Sequence, residues 1–119
     1  MQYLTADLFL NGRDKRKYSR NTYFERINDT SIGVKLHKTF IVVIHNDNTV
    51  ELNTGGWETW TTRNRINKIL GFLFGPDSPR VYTTKDFMHL WEPKRRPIEF
   101  FDGMKLNDLG RCINYWNRG

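Results

Sequence analysis

Residues 55 to 68 combine the residue types that bind phosphate groups. Gly55 and Gly56 allow the backbone to approach a ligand closely, because neither carries a Cβ atom. A helix is predicted to follow them, and a helix N-terminus attracts anions through its unpaired N–H groups and its partial positive charge. The stacking, hydroxyl and cationic side chains that could complete the site are Trp57, Thr61, Thr62, Arg63, Arg65 and Lys68.

A purely structural interpretation of the same residues stays open. The glycine pair would then be a turn that ends a strand, Trp57 a core residue, and Thr61 or Thr62 the cap of the helix. The segment is not a P-loop, because no Gly-Lys-Ser/Thr follows the glycines, and nucleotide hydrolysis is therefore not predicted.

Acid/base and metal chemistry has few candidates in this chain. Glu25, His37 and His45 could bind a metal or activate water if they clustered, as in a small nuclease, but their spacing matches no known motif. Cys112 follows Arg111, which could lower its pKa, yet no base partner is evident. We therefore predict a binding protein without cofactor or metal, and not an enzyme.

Two more basic clusters lie at residues 13–20 and 94–96. The first adjoins a predicted turn and is flanked by tyrosines, and the second lies between two prolines. Each is either a solvated loop or a part of one converging surface, and neither has the pattern of sequence-specific base recognition. Their candidate phosphate contacts are Arg16, Lys17, Arg20, Arg95 and Arg96.

Composition limits the class of protein. The chain has 119 residues, 38% of them hydrophobic, which suits one domain with one core. A formal net charge of +6 favours anionic partners such as nucleic acid or nucleotides. A single cysteine excludes an internal disulfide, and we expect neither a membrane span nor a signal peptide.

The periodicity of apolar residues predicts an α+β fold. Alternation at residues 32–36 and a β-prone run at residues 40–44 indicate strands, and a turn at residues 46–48 makes a hairpin that pairs either Val43 or Val42 with Leu52. We expect a mainly antiparallel sheet of about five to seven short strands. One central helix at about 61–74 packs on it, through a stripe formed by Ile66, Ile69, Leu70 and Leu73.

The two ends of the chain carry separate predictions. We predict one domain over residues 1–119, with residues 1–20 as a loosely attached basic segment. Residues 107–116 have the pattern of either a short helix or a last strand.

Four segments carry a resemblance to a known family. They are Asn21-Thr22-Tyr23-Phe24-Glu25-Arg26, Val34-Lys35-Leu36-His37-Lys38-Thr39, the block Gly-Gly-Trp-Glu-Thr-Trp-Thr-Thr-Arg-Asn-Arg-Ile-Asn at residues 55–67, and Phe100-Phe101-Asp102-Gly103-Met104. The chain resembles a family of small bacteriophage-encoded accessory proteins. Similar proteins often have Asp-Gly at the hairpin turn, so Asp47-Asn48 here asks Asn48 to adopt a left-handed conformation.

The resemblance implies a phage origin and no particular mechanism, so no catalytic residue is carried over. Because neither a signal peptide nor a membrane span is expected, we predict that the protein acts in the host cytoplasm. Phage accessory proteins of this kind take part in host takeover or anti-defence. We expect a monomer or homodimer that binds nucleic acid or phosphate groups through a basic face. The alternatives are a protein–protein inhibitor of a host nucleic-acid-handling or defence complex, and a sponge for a small anionic nucleotide.

Overall fold

The computed structural model of the protein describes residues 1–85 and 87–115. The described elements, in chain order, are α1 (Gln2–Leu10), β1 (Lys15–Ser19), β2 (Thr22–Asn28), β3 (Ser31–Leu36), β4 (Thr39–His45), β5 (Val50–Leu52), α2 (Trp60–Phe74), β6 (Arg80–Thr84), β7 (Phe87–Trp91), β8 (Ile98–Glu99) and β9 (Met104–Leu106). The predicted α+β class and central helix are confirmed. The predicted antiparallel sheet of about five to seven strands is confirmed by a six-stranded sheet. The described part also contains a three-stranded sheet and α1, which were not predicted.

The strands form two antiparallel sheets. A six-stranded sheet has the order β1-β2-β3-β4-β5-β9, and a three-stranded sheet has the order β6-β7-β8. In the β4–β5 hairpin Val42 pairs with Leu52, which decides between the two predicted registers. Asn48 has a φ of 70°, so the left-handed conformation expected at this turn is present.

The hydrophobic core lies on one face of the six-stranded sheet and joins all the main elements. Ile66, Ile69 and Leu70 of α2 are fully buried, and they belong to the same cluster as Phe24 of β2 and Leu90 of β7. The stripe with helical spacing is therefore the surface that α2 buries.

Residues 1–20 are part of this core, in contrast to the loosely attached segment expected from their charge. Ala6 and Leu10 of α1 have no exposed surface. A guanidinium nitrogen of Arg26 lies 2.6 Å from a carboxylate oxygen of Asp7, so α1 is tied to β2 as well. A basic composition did not reveal that every fourth residue of α1, at Gln2, Ala6 and Leu10, faces inward.

The chain after β9 turns back on itself. An isolated bridge joins Leu106 to Cys112, and the buried carboxylate of Glu92 accepts a 2.6 Å hydrogen bond from the Cys112 N–H. Residues 107–111 between the two bridge partners form a turn, whereas a helix or a strand was predicted there. Trp116, the last residue of that prediction, lies outside the described residues.

Asn67 makes the most specific polar link between α2 and the three-stranded sheet. Its side-chain amide donates to the carbonyl of Val81 at 2.9 Å and accepts from the N–H of the same residue at 2.7 Å. Val81 is 2% exposed, so water cannot easily replace either bond.

We expect Asn67→Ala to lower the free energy of unfolding by about 2–4 kcal/mol, because it leaves two buried backbone groups unpaired. Urea denaturation measures the change. Lys68→Ala is the control, since Lys68 is exposed on the same helix and should change stability by less than about 0.5 kcal/mol. Equal stability of the two variants would contradict the role assigned to Asn67.

Candidate nucleic-acid interface

The N-terminus of α2 is capped by Thr59, and not by Thr61 or Thr62 as predicted. The Thr59 backbone is extended, and its hydroxyl accepts a 3.3 Å hydrogen bond from the Thr62 N–H. The Thr59 carbonyl accepts from the Arg63 N–H at 3.1 Å. The helix therefore begins at Trp60, and the N–H groups of its first two residues have no acceptor within the helix.

The backbone N–H groups of the glycine pair are used in hydrogen bonds within the fold. The Asp102 carboxylate accepts from the N–H groups of Thr54 and Gly55 at 2.8 and 2.9 Å, and the Thr54 hydroxyl accepts from the Gly56 N–H at 3.2 Å. A Cβ on Gly55 would lie 2.9 Å from the Thr39 side chain. An internal carboxylate thus occupies the position that the sequence suggested for a bound anion.

A pocket of about 550 Å³ opens beside this loop and the start of α2. Its walls come from the β3–β4 turn, the loop after β5 and the first turn of α2. The residues that line it are Leu36, His37, Lys38, Thr39, Ile41, Thr54, Trp57, Thr59, Thr61 and Thr62. Of the predicted site residues, Trp57, Thr61 and Thr62 therefore meet at one cavity. Trp57 is 65% exposed and is not the core residue of the structural interpretation.

Basic residues from three separate parts of the chain reach this end of the sheet. The Arg65 guanidinium donates to the Thr22 hydroxyl at 3.1 Å, and that hydroxyl donates to the Arg20 carbonyl at 3.0 Å. The neighbouring β3–β4 turn is joined by a 3.0 Å bond from the His37 N–H to the Asn21 carbonyl. We name the cations Arg20, Lys38 and Arg65 the basic rim.

Other predicted residues point elsewhere. Arg16 lies over the ring of Phe9 at 4.5 Å and donates to the Phe9 carbonyl at 2.7 Å, so it faces the helices. Arg63 donates to the Glu58 carbonyl at 3.1 Å, and Lys68 lies exposed two turns into α2.

The third basic cluster belongs to a different part of the surface. Arg95 and Arg96 line a second cavity with Glu92, Ile98, Cys112 and Tyr115, and that cavity shares no residue with the first. A guanidinium nitrogen of Arg95 lies 4.0 Å from the Glu92 carboxylate. Arg20 of the cluster at residues 13–20 and Arg65 of α2 are thus joined through Thr22, whereas the loop at residues 94–96 lies at a different cavity.

The structure aligns, in a row across the six-stranded sheet, residues that the sequence interpretation did not connect. Lys17 pairs with Tyr23, Tyr23 with Lys35, and Lys35 with Phe40, so these four side chains share one face. The Lys15 ammonium lies 4.8 Å from the centre of the Tyr23 ring, and the Lys35 ammonium lies 5.1 Å from that of Phe40. We name these five residues the lysine–aromatic face. The alternation of residues between the two faces of β2 and β3 was the signal in the sequence that could have indicated this shared face.

Glu25, His37 and His45 do not meet. His37 is in the turn before β4 and His45 is its last residue, about 20 Å away at the usual rise per residue. His45 instead bonds the Ser31 hydroxyl at 2.9 Å and lies 3.8 Å from the Glu51 carboxylate. Among residues 1–85 and 87–115, no group of His, Cys, Asp and Glu side chains has the arrangement of a metal site.

The environment of Cys112 differs from the one that its neighbour in sequence suggested. Burial raises the pKa of the Cys112 thiol above its ordinary value, and the nearby Glu92 carboxylate adds to the increase. Arg111 therefore does not activate the thiol.

Native protein should react with iodoacetamide at least about tenfold more slowly at pH 8 than urea-unfolded protein, since a raised pKa leaves less thiolate. Because the folded-state pKa is the higher one, this thiol stabilises the fold below about pH 8.5 and its contribution declines above that pH. Cys112→Ala is the control for the stability profile. Equal alkylation rates would show that the thiol is accessible and ordinary.

Comparison with known proteins identifies the family. A sequence profile described as the Kyanoviridae Gp96 protein matches residues 4–107, which is most of the chain. No curated protein and no solved structure matches the chain. In the described part of the fold, neither helix has the length and apolar character needed to cross a membrane. The family is a phage family, in agreement with the resemblance in the sequence, and this chain belongs to the Kyanoviridae Gp96 proteins.

Proposed function

We propose that this phage protein binds nucleic acid in the host cytoplasm, through phosphate contacts at the basic rim and the adjoining pocket. The observation that carries the proposal is that Lys38 lines the pocket, while the Arg65 guanidinium and the Arg20 backbone meet at the Thr22 hydroxyl at the same end of the sheet. The three residues are far apart in sequence. Cations gathered on one surface are the electrostatic footprint of nucleic-acid binding.

The chemistry of the pocket suits phosphate groups and rings. Guanidinium groups bind phosphate oxygens through two parallel hydrogen bonds, and Lys38 adds a point charge at the pocket wall. The exposed Trp57 provides a flat surface for a base. This set of side chains favours recognition of backbone and shape over recognition of base sequence.

A small anionic nucleotide is a second candidate for the same pocket. Its volume of about 550 Å³ lies within the range of about 300–1,000 Å³ that is usual for small-molecule sites. A phage protein that retains such a nucleotide would act as a sponge. It would bind a mononucleotide but neither DNA nor RNA.

A third candidate is inhibition of a host protein, and a different surface favours it. On the solvent face of the three-stranded sheet, Phe87 is 59% exposed and Trp91 is 37% exposed. Tyr82 and His89 stack beside them with ring centres 5.3 Å apart. Exposed aromatic residues are enriched in protein interfaces.

Lys38→Ala/Arg65→Ala should weaken nucleic-acid binding about tenfold or more at low salt. It should also reduce the slope of log affinity against log salt by about 1–2, because two phosphate contacts are lost. Fluorescence anisotropy with labelled DNA and RNA over a salt series gives both numbers.

The matched control is Arg95→Ala/Arg96→Ala, which removes the same charge from the loop at the second cavity. It should change affinity much less, and the melting temperatures of both variants report on folding. Wild-type protein that binds neither DNA nor RNA at low salt would refute the proposal. Binding of a mononucleotide, without binding of DNA or RNA, would instead support the nucleotide sponge. Capture of one host protein at Phe87 and Trp91 would support the protein inhibitor.

A further inference from the structure

We propose that the lysine–aromatic face is a platform for single-stranded nucleic acid, whose bases stack on Tyr23 and Phe40. This inference rests on the proposed function and names its substrate class, and it adds a second surface to the basic rim. Of the residues that carry it, Lys15, Lys17 and Tyr23 belong to the first basic cluster and its flanking tyrosines, whereas Lys35 and Phe40 were not candidates from the sequence.

The first step is that this face of the sheet is open. Phe24 contacts Phe9 of α1 and Phe72 of α2, with ring centres 4.7 and 5.8 Å apart, so both helices lie on the Phe24 side. Successive side chains of a strand point to opposite faces, which places Tyr23 and its cross-strand neighbours on the other side. Tyr23 and Phe40 are half-buried there, and Lys15 and Lys17 are exposed.

The second step is the orientation of the Phe40 ring. A Cβ atom added to Gly33 would collide with this ring and would lie 2.8 Å from the Cδ1 atom of Ile27. The ring therefore lies over Gly33, close to the sheet, because glycine leaves room for it. One face of the ring meets the Lys35 ammonium, 5.1 Å from the ring centre, and this is the face on which a base would stack.

The third step is charge. Lys15 and Lys35 hold their ammonium groups over the two rings. Lysine side chains are flexible, so an ammonium group can move to a phosphate when a base takes its place on the ring. The face is then an alternation of ring and cation across β1 to β4, which complements the alternation of base and phosphate in a single strand.

Acidic groups on the same face lie opposite Lys15 and Lys105, and not opposite Lys17 or Lys35. Glu25 lies opposite Lys15, and one of its carboxylate oxygens is covered from solvent. Glu51 lies opposite Lys105, 3.8 Å from the His45 ring and bonded to the Asn53 amide at 3.2 Å. Lys17 and Lys35 pair with Tyr23 and not with a carboxylate.

The fourth step distinguishes single strands from duplexes. Tyr23 lies on β2 and Phe40 on β4, so two strand spacings of about 4.8 Å each separate their backbones. Only an unpaired strand can splay its bases onto two rings this far apart, because the bases of a duplex are stacked on one another. Arg20 and Lys38 of the basic rim lie in the turns at one end of this face, where they can hold the backbone as the strand leaves it.

The experiment compares a labelled oligothymidylate with a DNA duplex by fluorescence anisotropy at low salt. Tyr23→Ala and Phe40→Ala should each weaken oligothymidylate binding about tenfold, whereas Tyr23→Phe and Phe40→Tyr should bind like the wild type. Duplex affinity should be lower and unaffected by the aromatic variants. Iodouracil-substituted oligonucleotides should crosslink to peptides that contain Tyr23 or Phe40 on irradiation, and melting curves check that each variant folds.

The remaining outcomes separate this inference from the proposed function. If oligothymidylate binds but the alanine variants bind equally well, or if only duplex binds, the platform is refuted while nucleic-acid binding stands. If no nucleic acid binds, both fall. A dimer that Tyr23→Ala dissociates would show that a second copy covers this face, and it would overturn the platform.

Discussion

Burial of the apolar stripe of α2 is the constraint on which the rest of the structure depends. The stripe belongs to the one core cluster that includes strands of both sheets, so each sheet is covered only if the helix is in place. Full burial of an aliphatic side chain contributes about 1.5–3 kcal/mol, and Ile66, Ile69 and Leu70 are all fully buried. The Asn67 amide then fixes the strand β6 against the helix, through bonds to both backbone groups of Val81.

The position of α2 also determines what its N-terminus can do. Its first turn meets the β3–β4 turn and forms the pocket, while Arg65 reaches the Thr22 hydroxyl of β2. The loop that leads into the helix is held by the Asp102 carboxylate, which uses backbone N–H groups that could otherwise bind a phosphate. The Gly55 amide therefore contributes to the fold, and it is not free to bind the proposed phosphate ligand.

The six-stranded sheet separates two kinds of surface. Its inner face is apolar and carries both helices, with Arg16 folded over Phe9 at the margin. Its outer face holds lysines and two rings, and Gly33 is the position that allows Phe40 to lie across it. An outer face that only had to be solvated would need neither ring, since exposed strand positions are compatible with short polar side chains. The platform proposed for single-stranded nucleic acid accounts for the two rings on this face.

The sequence by itself determined the elements whose cause is local. The spacing of Ile66, Ile69, Leu70 and Leu73 specified α2 almost to the residue. Alternation at residues 32–36 specified β3, and the β-prone run at residues 40–44 with the turn after it specified the β4–β5 hairpin. Only the tertiary structure decided which groups meet, because those contacts join residues far apart in the chain. Such contacts produce no periodic pattern in the sequence. Asp102 bonds a glycine 47 positions earlier, and Arg65 bonds a threonine 43 positions earlier. Cys112 shows the same limit: its neighbour in sequence is a cation, whereas burial and a carboxylate 20 positions away set its chemistry.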